Sequence, residues 1–369
     1  MKLPYSLFET FLVSLLGGLI FYFLTIPLAW LLGPLTATML WKLLTKRKLC
    51  WPSKFRDLGM MVLGYMLGSS FTWGTLTQIT YQLPSMLIVT ILTIGFSFFM
   101  GYLVVKGARV DFVSGIIGSV PGGLSQMVIL GEELKGVDTT IVTFMQTFRL
   151  MIVIFTVPFI LGHGWLGEIG LRTEVTPTEV KSSFLLSWYA YPIYLFIVWI
   201  GARLGKKIGL PTAPLLGPLL LTAGFVLAGI QAPPLPSFII LSAQILVGAY
   251  IGLMMNFSSL SNWRRFAPYT IFSCFALVGF SLLLGWLITL FYSMSLYTAV
   301  LATTPGGIAE MGVTAHEVNA NLSMVAAYQI FRVLFILFLV PPFLKWFINK
   351  VRASSMAKIG EQRMEKTRI

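Results

Sequence analysis

Apolar stretches of about 18 residues or more recur along the chain between short polar links, the pattern of membrane-spanning helices. In hydrocarbon each backbone group must find its partner within the protein, so runs of this length fold as helices. The pattern predicts spans near 6–25, 27–44, 57–73, 81–105 and 138–161, and again near 185–203, 211–229, 238–257, 267–292 and 322–346. Between the fourth and fifth span of each set lies a glycine-rich segment, 112–133 and 295–317. Gly115, Gly118, Pro121, Gly122, Gly123 and Gly131 interrupt the first of these, which predicts a break rather than one continuous helix.

The two sets are copies. Pro121-Gly122-Gly123 stands against Pro305-Gly306-Gly307, Met127 against Met311 and Glu133 against Glu317, each 184 positions on. After a gap of one residue, Gln146, Phe148, Arg149 and Pro158 meet Gln329, Phe331, Arg332 and Pro341, each 183 positions on. The offset of 184 also joins Pro27 to Pro211, Gly64 to Gly248, Gly68 to Gly252, and the run Leu31-Leu32-Gly33-Pro34-Leu35 to Leu215-Leu216-Gly217-Pro218-Leu219. One unit of roughly 165 residues is therefore carried twice. The chain divides into a first membrane repeat at 1–162, a polar linker at 163–184, a second repeat at 185–347 and a basic tail at 348–369.

Composition agrees with this pattern: 57% of residues are hydrophobic and 11% charged. The fold class expected is an all-α polytopic membrane protein. Net charge is +13, but the basic residues sit in short loops and the tail, where they orient spans rather than bind nucleic acid. If each broken segment is re-entrant, each repeat crosses five times and a cytoplasmic N-terminus puts only Arg172 and Lys181 outside. With Arg149 and Arg332 in the membrane, the other 22 of the 26 Lys and Arg lie inside. The positive-inside rule favours this arrangement over a full crossing of the broken segments. Five crossings turn the second repeat over, and inverted repeats are a recurrent build of secondary transporters. Both termini are then cytoplasmic.

Arg149 and Arg332 fall mid-span, where a charge costs roughly 2.5–3.5 kcal/mol or more and needs a partner. That partner is either an anionic solute or a carboxylate, with Glu133, Glu317, Asp138 and Glu310 available. The same carboxylates are the candidates for coupling to H⁺ or Na⁺; Glu133 and Glu317 alternatively cap loops at the membrane surface. The Gly122-Gly123 and Gly306-Gly307 backbones either free polar groups toward a cavity, with a half-helix aiming its positive end at an anion, or simply kink a helix. Ser125 and Thr304 flank the two breaks, and Gln126 opposite Glu310 departs from the duplication. Gln146 and Gln329, three residues before the arginines, either line a solute path or bond between helices. The Gly64/Gly68 and Gly248/Gly252 pairs read as close helix packing. His163 and His316 have no second His or Cys at ligand spacing, and no Walker phosphate loop occurs, so neither a metal, a cofactor nor ATP-driven transport is expected.

The paired blocks, with Leu-Leu-Gly-Pro-Leu near the start of each half, resemble the bacterial AbrB-duplication membrane family over about residues 10–347. This is distinct from the soluble DNA-binding regulator that shares the name. The resemblance implies a permease-like protein of the bacterial cytoplasmic membrane, in a family whose members carry labels as regulators of gene expression or as ammonia monooxygenases. It lends no catalytic or substrate residues. The function expected is secondary transport of a small, anionic organic solute by a non-enzyme, with the bilayer as its surroundings and homo-oligomerisation open. The alternatives are a membrane-embedded regulator and, third, a monooxygenase.

Overall fold

The structure, a computed structural model, describes residues 3–133, 137–162, 190–255 and 263–366, without the side chains of 3, 4, 124–126, 129, 190, 263–265, 345 and 347–366. The described residues form helices and no strand. The first half contributes α1 (Leu3–Phe23), α2 (Ala29–Thr45), α3 (Ser53–Ser69), α4 (Trp73–Ala108), α5 (Phe112–Ser119), α6 (Leu124–Glu133) and α7 (Thr139–Gly162). The second contributes α8 (Ala190–Ile208), α9 (Ala213–Leu227), α10 (Ser237–Met254), α11 (Trp263–Phe291), α12 (Leu296–Thr303), α13 (Ile308–Glu317) and α14 (Leu322–Lys366). The expected linker at 163–184 and the start of the span expected at 185–203 lie outside the described residues.

Among the described residues six helices hold stretches long and apolar enough to cross a bilayer: Tyr5–Phe23, Trp73–Ala108, Thr139–Gly162, Ser237–Met254, Phe266–Phe291 and Leu322–Leu344. This is a multi-pass membrane protein. The remaining expected spans appear as helices that are shorter or more charged. α2 and α3 run 17 residues each and α9 runs 15, while α8 carries Lys206 and Lys207 in its last turn. α14 continues as helix well past the expected span end at 346, so the basic segment is helical as far as Lys366.

The helices sort into two bundles. In the first, α2 packs on α1 and α10, while α3 packs on α9 and α10, and α8 on α9. In the second, α4 packs on α11, α7 on α5 and α11, and α14 on α4 and α12. The bundles meet where α3 lies against α13 and α14. Lipid tails give helices little hydrophobic reason to associate, so contact depends on close packing. Gly64 and Gly248 supply it at the centre of the first bundle: a Cβ there would strike the carbonyl oxygen of Leu215 or of Leu31. Leu31, Leu35, Leu63, Leu67, Leu215 and Leu219 fill the space between. Phe23, Leu195 and Phe291 are among the large apolar residues exposed on the outside, as a lipid-facing surface requires.

Each glycine-rich segment is two short helices around an extended break, Val120–Gly123 between α5 and α6 and Thr304–Gly307 between α12 and α13. The two starts are pinned alike. Asp111 caps α5 by accepting from the Ser114 N–H at 3.0 Å, and Ser295 caps α12 by accepting from the Thr298 N–H at 3.3 Å. The hydroxyls of Ser114 and Thr298 then accept from the backbone N–H of Asp138 and Asn321, at 2.8 and 3.0 Å, tying each broken element to the helix that follows it.

Candidate functional site

α7 lies along α5, which brings two of its polar side chains to the first break. Gln146 Nε2 donates to the carbonyl oxygens of Gly118 at 3.1 Å and Val120 at 2.8 Å. Arg149 donates from Nη1 to the Val120 oxygen at 2.7 Å, and from Nη2 to the Gly122 oxygen at 3.1 Å and to Gln146 Oε1 at 2.7 Å. The second break is held in the same way. Gln329 Nε2 donates to the oxygens of Leu301 at 2.7 Å and Thr304 at 3.0 Å. Arg332 donates to the oxygens of Thr303, Thr304 and Gly306 at 3.2, 2.9 and 3.3 Å, and also to Gln329 Oε1.

The physical reason lies in the breaks. A short helix ends with carbonyls that have no partner in the helix, and the proline that follows offers no N–H. A planar guanidinium presents several donors in a fixed fork, and a cation at a helix C-terminus also meets the negative end of its dipole. Arg149 and Arg332 are thus held by neutral oxygens of the chain itself. Among the described residues neither forms a salt bridge. Both are buried, at 9% and 3% exposure, and in each the Nε–H has no partner.

The two breaks converge on one cavity of about 170 Å³. Pro121, Gly122 and Gly123 line one part of it with Gln146 and Arg149. Pro305, Gly306 and Gly307 line another with the first turn of α13, including Glu310. The facing wall comes from the first bundle: Met60 of α3, then Pro211, Thr212 and Leu215 around the start of α9. Gly122 and Gly306 are needed where they stand, because a Cβ would lie 2.5 Å from the Met127 side chain in one break and 2.6 Å from that of Met311 in the other. Those methionines are fully buried beneath the breaks.

Glu310 is the third residue of α13 and only 6% exposed. Its carboxylate folds back onto Gly307, close enough that a Cβ on that glycine would collide with it. The placement resembles the acidic half of a capping box, with the charge at the positive end of the half-helix. Among the described residues Glu310 forms no ion pair. The cavity therefore combines a fixed cation, a carboxylate and the N-terminal turn of a half-helix. That set can bind a small anion and pass a proton to or from it.

The other sequence candidates fall elsewhere. The Thr304 hydroxyl donates to the Val300 oxygen at 2.7 Å, and the residue serves the break through its carbonyl rather than lining the cavity. Asp138 is exposed and caps α7, its Oδ1 accepting from the Thr140 N–H at 2.8 Å. Glu133 and Glu317 are the exposed last residues of α6 and α13, and neither lines the cavity. The side chain of Ser125 and the whole of His163 lie outside the described residues. Among the described residues no three His, Cys, Asp or Glu gather as a metal site needs. Sequence reasoning missed Met60, Thr212 and Leu215 as lining residues. The duplicated Pro211 and Leu215 were visible as a match, but nothing in the chain alone marked which face they present.

No solved structure matches the chain. The uncharacterized protein YhjN of Bacillus subtilis (strain 168) is 26% identical over 347 residues, covering 90% of each chain. A protein of Escherichia coli (strain K12) provisionally named regulator AbrB is 29% identical over 343 residues, covering 91% of this chain and 94% of its own. A family model described as transition state regulatory protein AbrB matches residues 30–348, from α2 to the membrane part of α14, and the chain belongs to this AbrB family.

Proposed function

We propose that the protein is a secondary transporter of a small organic anion, which binds in the cavity between the two bundles and is coupled to H⁺ or Na⁺ through Glu310. The observation that carries this reading is the convergence of both Pro-Gly-Gly breaks, one from each half, on a single cavity beside Arg149. Broken helices meeting at a site between two halves are the build by which many secondary transporters hold their solute. The volume of about 170 Å³ lies below the roughly 300–1,000 Å³ of pockets for drug-sized ligands, which confines the solute to a small molecule. The halves are read as inverted repeats in a bacterial cytoplasmic membrane, each with five crossings and a re-entrant break, and with both termini cytoplasmic. Regulator is a word in the description of the family and in the name of the Escherichia coli relative; no feature of the cavity favours it here.

The test is thermal unfolding of the detergent-purified full chain with mono- and dicarboxylates, inorganic phosphate, amines and Na⁺. A ligand bound only by the folded state stabilises it by RT ln(1 + [L]/Kd), about 2.7 kcal/mol at 100-fold Kd. One class of anion should raise Tm, and Met60→Trp, which fills the cavity from the first bundle without touching the breaks, should abolish that rise. A panel with no shift, or a shift that Met60→Trp leaves intact, overturns the reading.

A further inference from the structure

Where the chain is duplicated, its packing is lopsided. Met60, Pro211, Thr212 and Leu215 wall the cavity, and their counterparts 184 positions away are Gln244, Pro27, Leu28 and Leu31. The two walls share a backbone. Thr212 and Leu28 both hold a positive φ, 46° and 56°, at the caps of α9 and α2. The Leu215 oxygen abuts Gly64 as the Leu31 oxygen abuts Gly248. Yet two of the four pairs differ in one sense: Thr212 is exposed and Met60 partly so, whereas Leu28 and Gln244 are 4% and 1% exposed; Leu215 and Leu31 are equally buried, and Pro27 is the more open of the two prolines.

The docking of the bundles is lopsided in the same sense. α13 and α14 lie on α3, whereas their counterparts α6 and α7 have no contact of that extent with α10. Gln244 on α10 is the residue least at ease in this arrangement. Neither its Nε2 nor its Oε1 has a hydrogen-bond partner. A buried amide unpaired at both ends is rare enough to require a reason, and the apolar Met60 shows that the position does not demand an amide for packing.

We propose that the second bundle also docks the other way, with α6 and α7 on α10, and that the cavity is then relined by Gln244, Pro27, Leu28 and Leu31, the Gln244 amide meeting the solute. The inference rests on the transporter reading and gives it two ends. Duplicated halves that exchange roles around one site produce alternating access without any new fold. The breaks, with Arg149 and Arg332, serve both states. The first-bundle wall changes, from a thioether and a hydroxyl on one side to an amide and leucines on the other. Solute therefore meets different chemistry, and different affinity, on the two faces of the membrane.

Cysteine cross-linking tests this without any solute. Gly312 of α13 faces Leu67 of α3, where a Cβ on the glycine would lie 2.8 Å from a Leu67 methyl. The counterparts of this pair are Val128 and Ile251. In full-length protein in membranes, carrying Cys50→Ser and Cys274→Ala, the pair Leu67→Cys with Gly312→Cys reports the docking seen here. The pair Val128→Cys with Ile251→Cys reports the exchanged one. Both should cross-link on oxidation. Adding Gln244→Leu to the second pair should cut its yield about tenfold, because hydrocarbon at 244 relieves the unpaired amide only in the present docking. A second pair that never closes while the first does overturns the exchange, and so does failure of both. A yield indifferent to Gln244→Leu overturns the role of that side chain. Since no ligand enters, these results stand apart from the thermal-shift test, and either reading can fail alone.

Discussion

Gln146 and Arg149, one turn apart on α7, donate to the same oxygen, the carbonyl of Val120, at 2.8 and 2.7 Å. Gln329 and Arg332 share the Thr304 oxygen at 3.0 and 2.9 Å. The arginines are thus first the structural supports of the breaks, and the charge of Arg149 reaches the cavity as a by-product of that work.

Arg149→Lys and Arg149→Gln should both destabilise the protein, by about 2–5 kcal/mol, since either leaves break carbonyls unpaired in the interior. Lysine fails to rescue because it is a point donor rather than a planar fork. Thermal unfolding in detergent checks this, and a lysine variant with the native Tm would show that charge alone suffices.

Gly306→Ala should cost about 1–3 kcal/mol, because the new methyl pushes on the Met311 side chain beneath the break. Combined with Met311→Ala, the cost should fall short of the sum of the single changes, as expected for groups in contact. Strict additivity in a double-mutant cycle would mean that the two do not compete for space.

Glu310→Gln should leave the fold intact to within about 1.5 kcal/mol, being close to isosteric and the residue that the duplication places at Gln126. Solute uptake into proteoliposomes should lose its dependence on the proton or sodium gradient. Coupling that survives the change would move that role to another group.

Tyr328→Phe offers a control away from the cavity. The Tyr328 hydroxyl lies 2.7 Å from Ser85 Oγ and donates to Gln82 Oε1 at 2.9 Å, both on α4. Its loss should cost about 1–3 kcal/mol of stability through the acceptor left behind. The ligand-induced shift in Tm should be unchanged, and a lost shift would tie this network to the site.

The breaks were legible because two local rules agreed: Pro-Gly-Gly interrupts a helix, and the interruption occurs twice at a fixed offset. The expected segments 112–133 and 295–317 accordingly appear as α5 with α6 and α12 with α13. Glu310 could be singled out because it departs from the duplication at Gln126. The partners of the arginines were not legible. Whether a buried guanidinium finds a carboxylate or a carbonyl depends on which helix lies alongside, and the Val120 oxygen is 29 residues away in sequence. The place of Asp138 was legible for a local reason: an Asp directly before Thr139 is a helix-start signal, and it caps α7. Met60 carries no mark at all, since an apolar residue on an apolar helix looks the same facing lipid, leucine or a cavity.

The arginine supports also have an electrical meaning. Counted as a guanidinium and a carboxylate, the two charged side chains that line the cavity, Arg149 and Glu310, cancel. If the protein transports as proposed, a monoanion carried alone gives the loaded site one net negative charge, and a co-transported H⁺ or Na⁺ removes it. Carrying one elementary charge through the full membrane potential takes about 2.3 kcal/mol per 100 mV, so the voltage dependence of uptake into polarised vesicles would count the cations that travel with each solute.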